Sequence, residues 1–269
     1  MCRPGVGRVG KPTANSSLQF SHSSMRVFLL GATGNVGRLV LSELVKSNLQ
    51  VLAVVRSLDR IPEDLKHHRD VQYVVKNVLN MKNEELADAL RDCESCVICL
   101  GHRISVRGIW GPPYRLVRDA VQKIHSASEI LHAEKKSGAR LKLVILSTVG
   151  VTNPDGSEAN FRGMFEKAFV WIVSSLVPPW SDSMLTAQYL HNTIGRVDKS
   201  LEWVAVRPDS LVDGQRCQYA LSQDLRNGLF NPGETRKTNL VHFIVSLLMD
   251  DDLWNSWKGK MPVILDEQT

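Results

Sequence analysis

The 269-residue chain is 43% apolar and 23% charged, enough apolar material for one α/β domain with a substantial core. Its formal net charge is +5, but Arg3, Arg8 and Lys11 in the acid-free residues 1–24 carry much of it, and without them the balance is +2. That excludes a basic nucleic-acid-binding face, and the longest apolar run, about ten residues around Ala168 to Val177, is too short to span a membrane.

Residues 1–24 are rich in Ser, Gly and Arg and stop at Met25. They suit an organelle transit peptide, a disordered tail, or an extension upstream of a natural start at Met25. A soluble cytoplasmic protein is therefore expected, or a plastid or mitochondrial one if the segment is a transit peptide. Domain organisation follows: residues 25–269 form one domain, with a small lobe from about residue 213.

From Met25 the chain reads as alternating strands and helices. Val27 to Leu30 form a buried strand that breaks into Gly31-Ala32-Thr33-Gly34-Asn35-Val36-Gly37, and Val36, Leu39, Val40, Leu44 and Val45 then recur at helical spacing. Gly31 lets the chain leave the strand, Gly34 lets backbone approach a pyrophosphate, and Gly37 lets the helix sit close to the strand. The helix start presents N–H groups to an anion. Thr33, Asn35 and Val36 belong to the same cradle.

A second strand, Gln50 to Val55, ends at Arg56, with Ser57 and Arg60 beside it. An acid at this place binds the ribose hydroxyls of NAD; an arginine suits the 2′-phosphate of NADP. The predicted cofactor is NADP(H), with NAD(H) as the alternative. Strand three, Val71 to Val75, leads to Asn77 and Val78, where the adenine usually lies in such folds. A helix over Asn83 to Arg91 leads to strand four, Cys96 to Leu100, then to Gly101-His102 and a loop with Trp110 and Pro112-Pro113. A long helix from about Tyr114 to Ser137 precedes strand five, Leu141 to Leu146, which ends in Ser147-Thr148-Val149-Gly150.

Cys93, Cys96 and Cys99 are spaced like metal ligands, but on a strand residues three apart face opposite sides, so buried small side chains are expected and no metal site. His67-His68 has no companion ligands and reads as a solvated helix end. Gly31 to Gly37, Arg56, Asn77, Gly101 and Ser147 each follow a strand. In a parallel sheet with right-handed crossovers they line one edge, the ligand crevice of a doubly wound α/β fold.

The glycine turn, Arg56 after the second strand, Ser147-Thr148-Val149-Gly150, and Leu201-Glu202-Trp203-Val204-Ala205-Val206-Arg207-Pro208 with Leu211 resemble the atypical short-chain dehydrogenase/reductases, the group with NmrA-like and biliverdin/flavin-reductase-like members. The resemblance covers about Met25 to the carboxyl end. It implies a Rossmann fold, NAD(P) binding across the predicted edge and oxidoreductase chemistry.

Catalytic members of the wider superfamily use a Tyr-x-x-x-Lys helix, in which lysine lowers the tyrosine pKa beside the nicotinamide. Tyr73, Tyr114, Tyr189 and Tyr219 all lack a lysine four residues on, and the corresponding positions fall near Trp180 and Met184. Candidates for catalysis are Ser147 at the end of strand five, Tyr189 or His191 on a helix over Asp182 to Ile194, and His102. Ser147 could equally contact the cofactor or only satisfy the strand end. An aromatic helix over Phe161 to Trp180 caps the pocket, packs across a homodimer, or sits in the core. A helix over Val241 to Met249 and a strand over Pro262 to Leu265 close the sheet. The expected function is an NAD(P)H-dependent oxidoreductase reducing a small apolar carbonyl or conjugated substrate; the alternative is a non-catalytic NADP(H) sensor or scaffold.

Overall fold

Alternate residues of the first strand enter two different helical layers. In β1 (Arg26–Leu30), Val27 and Leu29 join one apolar cluster while Phe28 and Leu30 join another. A strand buried on both faces belongs in a parallel sheet covered by helices on either side. The computed structural model describes residues 25–102, 105–135 and 139–267; the N-terminal segment 1–24 and the expected end of the long helix near Ser137 lie outside the described residues.

In chain order β1 is followed by α1 (Gly37–Lys46), β2 (Gln50–Val55), α2 (Glu63–Lys66), β3 (Val71–Val75), α3 (Asn83–Leu90), β4 (Ser95–Ile98), α4 (Val106–Trp110), α5 (Leu116–Lys135) and β5 (Leu141–Leu146). Then come α6 (Met164–Leu176), α7 (Pro178–Tyr189) with a π-turn over Leu190–Ile194, β6 (Leu201–Pro208), β7 (Ser210–Val212), β8 (Tyr219–Ser222), β9 (Glu234–Arg236), α8 (Lys237–Met249), α9 (Asp251–Trp257) and β10 (Val263–Asp266). The main sheet has the order β3-β2-β1-β4-β5-β6-β10-β8, parallel except for β8, which runs antiparallel to β10. The strand order reverses between β1 and β4, so the crevice at their carboxyl ends is the switch point where doubly wound folds bind ligands.

The two layers account for the buried residues. On one face α1 and α8 pack together over Val27, Leu29, Val51 and Ala53. On the other, α3, α5 and α7 cover Phe28, Leu30, Leu52 and Val54. Cys96 lies in the second layer and Cys99 in the first, opposite sides as the strand pattern required, and burial pushes the Cys99 thiol up to about 12. The chain from residue 213, expected as a small lobe, adds β8 and β10 to the sheet and lays α8 on α1.

The aromatic helix, expected in the segment Phe161 to Trp180 and ending at Pro178-Pro179, spans Met164–Leu176, and the correction concerns the prolines, which begin the next helix four residues before its expected start at Asp182. Val177 is extended (φ −117°, ψ 98°) and Pro178-Pro179 open α7 instead of ending α6. Proline disfavours helical dihedrals in the residue before it, and its missing N–H costs nothing in a first turn. The short α4 and α9 and strands β7, β8 and β9 were not foreseen, whereas α2 has His67 as its C-cap, the helix end expected at His67-His68; α9 carries a recognisable start, with the Asp250 side chain accepting from Asp252 N–H and Leu253 N–H.

Candidate functional site

The glycine turn is built by close backbone approach. Gly31 has φ +87°, and a Cβ there would strike the Cys99 carbonyl of the neighbouring strand. A Cβ at Gly37 would collide with the carbonyl of Gly31. Gly37, named with the cofactor-binding residues for its place in the turn, lets the helix start sit against the strand end, and it is not among the residues that line the crevice. Gly34 N–H donates to Gly31 O at 2.9 Å, closing the turn. Val36 supplies no side-chain cap to α1; Arg38 N–H donates to Gly34 O and Leu39 N–H to Val36 O, and the turn residues Asn35 and Val36 line the crevice at the start of this helix, the end of a helix that favours an anion.

A crevice of about 860 Å³ runs along the carboxyl ends of β3, β2, β1 and β4, within the size range of cofactor sites. Gly31, Thr33, Gly34, Asn35 and Val36 line its middle. One end holds Arg56, Arg60, Lys76, Asn77 and Val78. Lys76 is paired with Glu85, whereas Arg56 and Arg60 make no ion pair among the described residues, leaving two cations for a phosphate. Asn77 Oδ1 accepts from Leu79 N–H at 3.2 Å, so this side chain also caps the short 3₁₀ turn that follows it. Ser57, considered beside Arg56, donates to Asp59.

The other end is formed by Leu100, Gly101, His102, Leu116, Leu146 and Leu211. Here the structure reveals a partner that no sequence spacing announces. His102 Nε2 lies 3.0 Å from Asp182 Oδ2, with both side chains nearly or fully buried. Asp182, in the second turn of α7, also accepts from Val117 N–H at 2.9 Å and Arg118 N–H at 3.0 Å, capping α5. One carboxylate thus ties together the β4 loop, α5 and α7 and orients the histidine ring from eighty residues away. With its proton directed at Asp182, the ring's second nitrogen, Nδ1, is the atom left for other chemistry.

The remaining candidates are placed elsewhere. Ser147 does not line the large crevice; it borders a void of about 10 Å³ with Ser183 and Thr186, between β5 and α7. Tyr189 is directed away: its hydroxyl meets His125 Nδ1 at 2.9 Å, and His125 Nε2 meets Asp198 Oδ2 at 3.1 Å. Asp198 precedes β6, at the opposite edge of the sheet from the crevice. Burial, then the charges of Glu129 and Asp198, raise the Tyr189 pKa, which suits a structural hydrogen bond and not a proton shuttle. His191 Nδ1 sits against the neighbouring Asn192 side chain. Where a Tyr-Lys pair was expected to fall, the Trp180 ring packs against Gly150, and Met184 joins the core.

Arg207 is a clamp. Its guanidinium donates to Glu158 from Nη1 to Oε2 and from Nη2 to Oε1, both 2.8 Å, and also donates to the carbonyls of Val151, Gln223 and Met261. Glu158 accepts in turn from Asn153 and Leu225 N–H. The pair fastens the loop after β5 to β6 and to the C-terminal segment.

Residues 31–251 match the NAD(P)H-binding family. No curated protein matches the sequence. Among solved structures, an oxidoreductase from Lactococcus lactis is 18% identical with a TM-score of 0.64, covering 91% of this chain and 92% of its own. A short-chain dehydrogenase/reductase from Veillonella parvula, solved in complex with NADP, is 14% identical with a TM-score of 0.64, covering 91% and 96%. An anaerobillin reductase from Escherichia coli O157:H7 is 17% identical with a TM-score of 0.61, covering 91% and 98%. At these identities the structures establish the shared Rossmann-like architecture, and the family match adds its ligand: the chain belongs to the NAD(P)H-binding family.

Proposed function

We propose that this protein is an NADPH-dependent reductase of a small, largely apolar carbonyl or conjugated substrate, with His102 as the proton donor. The observation that carries it is the crevice itself, with a glycine-turn cradle in its middle, unpaired Arg56 and Arg60 at one end and the His102–Asp182 pair at the other. When bound, the reduced nicotinamide supplies the hydride. The chain's own residues do the rest. Gly31, Thr33, Gly34, Asn35 and Val36 would hold the pyrophosphate, Arg56 and Arg60 the 2′-phosphate, and Asn77 and Val78 the adenine. Leu116, Leu146 and Leu211 exclude water and present an apolar wall. Asp182 holds the His102 Nε2–H, so that the doubly protonated ring gives its Nδ1 proton to the reduced substrate and returns to the neutral form with Nε2–H still on Asp182.

The test is a screen of quinones, flavins and aldehydes for NADPH oxidation, with calorimetric titration of both cofactors. NADPH should bind more tightly than NADH, and Arg56→Asp should narrow or reverse the gap. His102→Gln should lower kcat/KM by about 100-fold or more, the scale of general-acid catalysis, while leaving NADPH affinity intact. Equal cofactor affinities would remove the NADP preference.

A specific observation favours the second reading, a non-catalytic NADP(H) sensor: the space between Ser147 and α7 is closed to about 10 Å³. A sensor must bind oxidised and reduced cofactor with different affinity. No turnover across the screen, with unequal NADP and NADPH affinities, would establish that role instead.

A further inference from the structure

α6 presents to solvent a face that a folded monomer does not ordinarily expose. None of its 13 residues is fully buried. Met164 is 82% exposed, Phe165 88%, Trp171 71% and Leu176 65%, with Phe169 and Ile172 also exposed. Phe230, 66% exposed, extends the patch from an adjoining loop: its ring meets Phe169 edge-on at 5.3 Å, and the loop is held to the helix by Leu229 N–H donating to Glu166 Oε1. Positions 164, 165, 168, 171, 172, 175 and 176 fall on one side at helical spacing, and that stripe contains no charged residue. Taking about 200 Å² for a fully exposed aromatic side chain, the exposed fractions amount to on the order of 800 Å². Typical monomers leave apolar patches of only a few hundred Å². The area equals one partner's share of a standard stable interface.

We propose that this face is the interface of a homodimer, occupied by α6 of a second copy. Two properties of the stripe choose the occupant. The first is self-complementarity, which a two-fold interface demands because each residue must accept its symmetry mate. An antiparallel pairing about the middle of the stripe sets Phe165 against Ser175, Ile172 against Ala168, and Met164 against Leu176. Large side chains then meet small ones, and the rest is apolar against apolar. The second is charge. Helices that lie on membranes carry several Lys or Arg on the polar face; α6 contains one lysine, Lys167, and one acid, Glu166. A second protein surface fits this balance and an anionic lipid surface does not. The site is also mechanically coupled to the crevice loop, since Trp110 Nε1 of α4 donates to the Leu176 carbonyl at 3.0 Å.

Light scattering and sedimentation equilibrium on the full chain at tens of micromolar test the proposal. The expected mass is twice the 30.1 kDa chain, and Phe165→Glu with Trp171→Glu should reduce it to the single-chain value without changing the far-ultraviolet dichroism. Phe165→Ser alone should weaken dimerisation by about tenfold or more, and adding Ser175→Phe should restore most of it by exchanging the facing large and small residues; this pair remains informative should the charged variants fail to fold. A wild-type monomer overturns the proposal, as does a dimer indifferent to these substitutions. A monomer that co-sediments with vesicles of phosphatidylcholine and phosphatidylglycerol overturns it in favour of a membrane surface, and one that binds only a different protein overturns it in favour of a heteromeric partner.

Discussion

Two buried residues set how much each half of the molecule depends on its charges. Arg207 and Glu158 are both essentially inaccessible, and removing one partner of such a pair leaves the other's charge unpaired in a low-dielectric interior. Glu158→Ala should cost about 3–5 kcal/mol, whereas replacing both with apolar residues should cost much less; urea midpoints of the two variants check this. Asp198 behaves differently. Burial pushes its carboxyl up, but hydrogen bonds from Ser200 and His125 outweigh burial and hold it below the ordinary value of 3.8. A carboxyl whose folded pKa is lowered contributes stability that is complete above its unfolded pKa and lost as pH falls through the folded one. Asp198→Asn should therefore destabilise the protein at neutral pH and flatten the loss of stability below about pH 4. Denaturant titrations on both sides of that pH measure it.

Among elements, the β1–α1 turn is the least tolerant of added atoms, and the steric reason differs from glycine to glycine. A side chain at Gly37 must displace the Gly31 carbonyl, while a Cβ at Gly101 meets nothing within 4 Å. Gly37→Val should cost about 1–3 kcal/mol of overpacking and abolish NAD(P)H binding, because the cradle deforms with the turn. Gly101→Ala should leave stability unchanged. Calorimetric titration with thermal unfolding separates the two. The division of the aromatic segment into α6 and α7 matters at this scale as well. The break at Val177 lets α7 turn inward, bringing Asp182 to His102 and to the α5 start, while α6 stays outward with its apolar face open.

At the scale of the whole molecule, cofactor occupancy and stability are one equilibrium, because the crevice joins the carboxyl ends of β1, β2, β3 and β4 to the α1 start. NADPH at a hundred times its dissociation constant should add about 2.7 kcal/mol, raising the Tm by roughly 5–10 °C for a domain near this size. NADH at the same concentration should raise it less, and Arg56→Asp should remove the difference. Local patterning was enough for the alternation of strands and helices, the parallel sheet, the glycine turn and the placing of Arg56, Asn77, Gly101 and His102 after strands, since periodicity and strand-end chemistry are properties of neighbouring residues. Asp182 beside His102, Glu158 beside Arg207, and Tyr189 turned toward His125 were invisible there, because each pair is joined by packing across separations of tens of residues. The sequence by itself determined a Rossmann-like fold and a dinucleotide crevice. Only the tertiary structure decided which polar side chains meet inside it, because which groups meet in a buried interior depends on how distant helices seat against the sheet.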